Sequence, residues 1–266
     1  MSASSFGEAL LRLWPDGDQN VPGLRDGIAA AAPAVFARHG ITSPLLVAHV
    51  MAQISHECGA GHEVVENLNY TAGRMMQVWP SRFPTTASAA PYAHNPKALA
   101  NKVYNGRMGN RAGSDDGWTF RGRGAAQTTG RDGYARLAKA TGLDLVNHPE
   151  LVLAPKHFLD CGVADFIACG CLPFAQADDV VGVTKRLNGG SVGLAQRKAW
   201  LSTWKAALAT VPVAAKPAPL KPRSGAALPR DPVPAIAPAA APAAAVPARS
   251  LLARVAAALT AAFRRS

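Results

Sequence analysis

Ser43-Pro-Leu-Leu-Val-Ala-His-Val-Met-Ala-Gln-Ile-Ser-His-Glu-Cys-Gly59 opens on a capping serine and a proline, continues as an apolar run and stops at a glycine. Proline suits the first helical position, where its missing N–H has no intrahelical acceptor, and glycine just past the last turn accepts the backbone that ends a helix. The stretch therefore predicts a helix over 44–58. Glu57 falls in its last turn, with Gln53 one turn behind on the same face. A carboxylate at that end meets the negative pole of the helix macrodipole, which disfavours its ionised form. That is a poor place for a structural glutamate and a useful one for a proton donor.

Outward from this helix the same signals recur. Helices are expected over 24–39, from Asn95-Pro96 to 104, over 132–141, 155–168 and 194–208, and from a cap at Asp178 or Asp179 to 187. Another starts near Thr71. The glycine-rich stretch 106–130, with Trp118 and Phe120, breaks the pattern and reads as irregular backbone with a small hairpin. The body, residues 1–211, is thus a mainly α domain. After it the composition changes. Ten prolines fall between Pro212 and Pro247, interspersed with alanine, so 212–249 reads as a disordered, extended linker. Residues 250–266 read as a short basic amphipathic helix: Leu251, Leu252, Val255, Leu259 and Phe263 share one arc, with Arg254, Arg264 and Arg265 opposite.

The charge follows the same division. Of the net +11, residues 212–266 hold +7, which leaves only +4 on the body. A basic tail on a mildly basic body fits attachment to an anionic membrane or lipopolysaccharide rather than nucleic-acid binding throughout. The first 18 residues lack a basic n-region, and no stretch reaches the ~18 apolar residues of a membrane span. The expectation is a monomer that is cytoplasmic as synthesised and is released by another agent. Cys58, Cys161, Cys169 and Cys171 lack paired CxxC spacing even with His157 included, so buried reduced thiols are expected, with no metal and no cofactor.

A second carboxylate, Glu66, lies nine residues after Glu57 on a loop; Glu63 looks like loop surface. Two carboxylates are what glycoside hydrolysis needs, one to protonate the leaving oxygen and one to activate water on the opposite face of the sugar.

Five ordered blocks, Ser55-His-Glu-Cys-Gly59, Glu66-Asn-Leu-Asn-Tyr70, Tyr104-Asn-Gly-Arg-Met-Gly-Asn110, Trp118-Thr-Phe-Arg-Gly-Arg-Gly-Ala-Ala-Gln-Thr-Thr-Gly-Arg131 and Lys185-Arg-Leu-Asn-Gly-Gly190, resemble those of family 19 glycoside hydrolases. That family contains chitinases and many phage endolysins, and the resemblance runs from about residue 6 to 208. It implies a lysozyme-like, two-lobed helical domain with a central cleft and an inverting mechanism. By motif, Glu57 is implied as general acid and Glu66 as general base. Tyr70, Gln127, Thr129, Asn188 and Arg197 are implied as substrate-binding residues. Ala125 and Ala126 depart from the larger apolar residues usual in the family, and Gly133 from its frequent asparagine. Trp79, Trp200 and Trp204 read as core, whereas Trp118 stays open as a sugar contact.

The expected activity is endo-cleavage of β-1,4 bonds in an N-acetylated amino-sugar polymer. Peptidoglycan is favoured, as in an endolysin, because the Glu57–Glu66 interval is compact and the tail is cationic. A chitinase is the alternative with the same chemistry. An inactive envelope- or nucleic-acid-binding protein is the alternative of another class.

Overall fold

The computed structural model describes residues 3–209; the expected linker 212–249 and tail 250–266 lie outside the described residues. Twelve α-helices make up the described part: α1 (Ala3–Leu13), α2 (Leu24–Arg38), α3 (Pro44–Glu57), α4 (Ala72–Val78), α5 (Thr86–Ala89), α6 (Pro96–Tyr104), α7 (Asp116–Thr119), α8 (Arg131–Thr141), α9 (Pro155–Ala168), α10 (Leu172–Gln176), α11 (Val180–Asn188) and α12 (Leu194–Ala209). The protein is mainly helical, as expected, and the predicted helices match to within a residue or two at their ends. None is long and apolar enough to cross a membrane among the described residues.

α3 is the axis of the fold. Ser43 accepts from the Leu46 N–H, Pro44 occupies the first turn, and every residue from Leu46 to Ser55 is buried. α12 packs along α3, and α9 along α2. Near its C-terminal end α3 is pinned by one hydroxyl: Ser55 Oγ accepts from the indole N–H of Trp14 and of Trp204, each at 2.9 Å. The Trp204 ring stacks on Phe6, which meets Phe36 edge-on. α9 approaches α3 closely because residue 162 is glycine. A β-carbon there would lie 2.7 Å from Ile54 Cδ1 and 2.8 Å from the Ala125 β-carbon. A side chain larger than alanine at 125 would crowd the same close approach.

The buried apolar residues form three clusters. The first surrounds α3 and includes Val64 and Ala125. The second, built from α4 to α6, holds Leu68, Tyr70, Trp79, Phe83 and Tyr104. The third joins α8 and α9 around Phe120, Tyr134 and Leu137. The segment after α3 passes from the first cluster at Val64 to the second at Leu68, so Glu66 sits at their junction. Residues 106–130 are irregular apart from α7 and one small antiparallel turn, in which Arg123 and Thr128 exchange backbone bonds of 3.2 and 2.9 Å; Val65 bridges to Arg123 as well.

The reading of the sequence places no helix over α1, α5, α7 or α10. The last three are four or five residues long, too short to show a helical period. α1 carries its signal in Phe6, Ala9 and Leu10, spaced for one face and all buried.

Candidate active site

Glu57 is the last residue of α3, and its side chain is 14% exposed. The fully buried guanidinium of Arg197, from α12, donates through Nη2 to Glu57 Oε1 and through Nη1 to Gln53 Oε1. Gln53 and Glu57 share a helix face one turn apart, so a planar fork can engage both. Arg197 is steadied by the turn after α11, where Val192 O accepts from Arg197 Nε at 3.4 Å and from Asn188 Nδ2 at 2.9 Å. Asn188 Oδ1 in turn accepts from the Gly190 N–H. Both ends of that amide are occupied within the turn, so Asn188 acts here by holding the loop behind Arg197. The same loop fixes His56: a β-carbon on Gly193 would lie 2.2 Å from His56 Nε2.

A third carboxylate bears on this group. Asp165 is half-buried on α9, one turn beyond the close approach of Gly162 to Ile54. Burial, and then the charge of Glu57, push its carboxyl up to about 6. The helix end and Asp165 therefore both disfavour negative charge on Glu57, and Arg197 favours it. Cys58, next in sequence, is buried with its thiol pushed up to about 12, so it stays protonated.

Glu66 occupies a different environment. Only 6% of it is exposed. The Tyr104 hydroxyl donates to Oε1, and the Gly122 N–H donates to Oε2 at 3.1 Å. Backbone bonds from Glu66 N to Gly122 O and from Gly124 N to Val64 O, both 2.8 Å, lash this segment to the 120s loop. Burial raises the carboxyl to about 7, against the opposing pull of Tyr104, Gly122 and Arg121. Arg121 is itself pushed down to about 10, chiefly by burial. Its guanidinium lies 3.6 Å over the Trp118 ring, so that face of Trp118 is covered.

The remaining implied residues fall around these two centres. Gln127 has a left-handed backbone (φ 50°), unusual for a side-chain-bearing residue, and its Nε2 donates to Glu63 O at 2.6 Å and Gly124 O at 3.1 Å. It straps the Glu57–Glu66 segment to the 120s loop with its amide donors, and Oε1 is left to accept. Thr129 Oγ1 donates to Gln127 O at 3.0 Å. Tyr70 is buried with its ring 5.8 Å from that of Trp79. Trp79 and Trp204 are core residues and Trp200 packs at the edge of the first cluster. The structure thus joins Glu57 and Gln53 to Arg197, which the Asn188 turn backs, and Glu66 to Tyr104 and Gly122; Gln127 ties to Glu63 and Gly124, and Thr129 to Gln127. Tyr70 lies in the second cluster beside Tyr104. Three neighbours are not among the site residues that the resemblance implies: Tyr104, Arg121 and Asp165. Tyr104 ends α6 directly before Asn-Gly, and that position in a quoted block was the available signal.

No family model matches the chain. A curated protein of Haemophilus influenzae, named glycosyl hydrolase family 19 domain-containing protein, is 35% identical over 173 residues, spanning 64% of this chain and 84% of that protein.

Proposed function

Since this chain belongs to glycosyl hydrolase family 19, we propose that it hydrolyses β-1,4 bonds of peptidoglycan by inversion, with Glu57 as general acid and Glu66 as general base. The observation that carries this reading is the contrast between the two carboxylates. Glu66 is poised at about 7, close to the optimum for a base working near neutral pH. Glu57 faces both a charge that resists its ionisation, Asp165, and one that welcomes it, Arg197. As Glu57 gives its proton to the leaving oxygen, Arg197 stabilises the carboxylate that forms. Glu66 meanwhile takes a proton from water attacking the opposite face of the sugar.

Peptidoglycan is preferred to chitin because of the nine-residue interval between the carboxylates and the +7 carried by residues 212–266. Zymograms on both purified polymers, with mass spectrometry of the released ends, test this. Clearing of peptidoglycan with new reducing sugar ends is expected; clearing of chitin alone would overturn the substrate, and clearing of neither the activity. Residues 250–266 are proposed to attach the enzyme to anionic membrane or lipopolysaccharide. A chain ending at Val211 should then digest purified peptidoglycan as well as the full chain does, yet lose binding to anionic vesicles. Equal vesicle binding by the two would remove that role.

A further inference from the structure

Two turns from the Glu57–Arg197 contact, α3 and α12 are joined a second time. His49 lies eight residues before Glu57 on α3, and Lys205 eight after Arg197 on α12. That is about 12 Å along each helix. Between them stands Asp178, from the turn between α10 and α11. Its Oδ1 is 2.8 Å from His49 Nε2, and Lys205 Nζ donates to Oδ1 at 2.6 Å and to Oδ2 at 2.5 Å. One carboxylate thus ties three elements together. Asp178 holds a left-handed backbone (φ 58°), where the turns that end α8, α9 and α11 have Gly142, Gly170 and Gly189. Glycine adopts that backbone more readily, whereas aspartate supplies a carboxylate at some conformational cost.

His49 is the buried member. None of its surface is exposed, and its Nδ1 has no hydrogen-bond partner among the described residues. Asp178 is held below the usual carboxylate range, chiefly by its bond from Lys205, so it stays ionised and can only accept. Nε2 must therefore carry the ring proton, which leaves Nδ1 bare. A second proton would create an N–H at Nδ1 with no acceptor, in a place closed to water. The charged groups facing the ring are Asp178 and Asp179, from the turn, and Lys205, from α12. α10, which also packs on α3, carries none. Burial holds the imidazole below its ordinary 6.5; the bond and charge of Asp178 oppose this, Lys205 adds to it, and Asp179 opposes it.

We propose that His49, Asp178 and Lys205 form an acid-sensitive latch, which clamps α12 and the α10–α11 turn to α3 while His49 holds one proton and weakens when it takes a second. The unfolded chain binds that second proton more readily. The latch's stability is therefore complete above about 6.5 and is lost as pH falls from there towards the folded value. Glu66 and Asp165, whose carboxyls are raised by burial, act in the opposite sense. Because α3 and α12 carry Glu57 and Arg197, opening the latch loosens the helices that bring that pair together.

Nitrogen NMR of the full chain with isotope-labelled histidines tests the protonation. At about pH 5.5, a unit below the ordinary histidine value, His49 should still show one protonated nitrogen, Nε2, and one bare one, Nδ1. Two protonated nitrogens at that pH would overturn the latch. His49→Gln keeps a donor for Asp178 and cannot take a second proton, and the resonance it lacks identifies His49. Denaturant unfolding of both chains between about pH 7.5 and pH 5 tests the coupling to stability. Relative to His49→Gln, the unfolding constant of the unmodified protein should rise by several-fold, and at most about ten-fold, per pH unit below about 6.5. His157, also held low by burial, is common to both chains and cancels. A ratio that stays constant over the range would overturn the proposal. If His49→Gln does not fold, the resonance is assigned through its contacts with Lys205, and the nitrogen signals decide alone.

Discussion

The phenolic O–H of Tyr104, at the end of α6, donates to the carboxyl of Glu66 across 38 residues of chain. This bond favours the ionised form of a group that burial alone would keep protonated. Tyr104→Phe should therefore raise the proton affinity of Glu66. The acid limb of kcat/KM should move up by roughly half to one pH unit, with the loss larger at pH 6 than at pH 8. A pH–rate profile that falls uniformly would mean that Tyr104 only packs.

Glu66 should also destabilise the fold that holds it. Its folded-state carboxyl titrates near 7 against an ordinary value of 4.5, so between those values the native state binds the extra proton. Stability contributed by the protonated form is present below about 4.5 and is lost as pH rises through about 7. Glu66→Gln carries no charge to desolvate. It should be inactive and yet more stable than the unmodified protein at pH 8, by on the order of 2–3 kcal/mol, with the gap closing towards pH 4.5. Thermal melts across that range check the sign.

Arg197 should matter to both stability and activity. It is fully buried and spans Gln53 and Glu57. Arg197→Met leaves a carboxylate and an amide facing an apolar side chain, at a cost of about 3–5 kcal/mol. Activity per folded molecule should fall as well, because the charge forming on Glu57 loses its stabiliser. Arg197→Lys should recover part of the stability, since one ammonium cannot reproduce both bonds. Denaturant unfolding with parallel turnover measurements separates the two effects.

Ser55 provides the complementary case. Ser55→Ala leaves the N–H groups of Trp14 and Trp204 buried without an acceptor. The expected loss is roughly 2–4 kcal/mol, with turnover per folded molecule unchanged, because the hydroxyl touches neither carboxylate. A comparable fall in turnover would show that α3 transmits the disturbance to Glu57.

Local signals carried much of this in advance. Ser43-Pro44 and Gly59 bound α3, and the placement of Gln53 and Glu57 on one face follows from helical spacing alone. The nine-residue interval to Glu66 is visible too. What could not be read locally is partnership over distance. Arg197 reaches Glu57 across 140 residues, and Tyr104 reaches Glu66 across 38. Resemblance implied the first of these as a site residue without indicating that it pairs with the acid. Asp165 sits in the apolar second half of α9, Gly162–Ala168, and nothing near it in sequence points to Glu57. Asn188 and Gln127 show the opposite limit. Motif alone implied contacts to sugar, whereas their amide groups are engaged mainly with backbone.

Glu57 and Glu66 are proposed to act as acid and base across a water molecule. Proton NMR of the anomeric region during the first minutes of peptidoglycan digestion tests it most directly. Inversion predicts that the new reducing end appears first as the α-anomer and then mutarotates. A β-anomer as the first product would contradict the account and point to a covalent or substrate-assisted route.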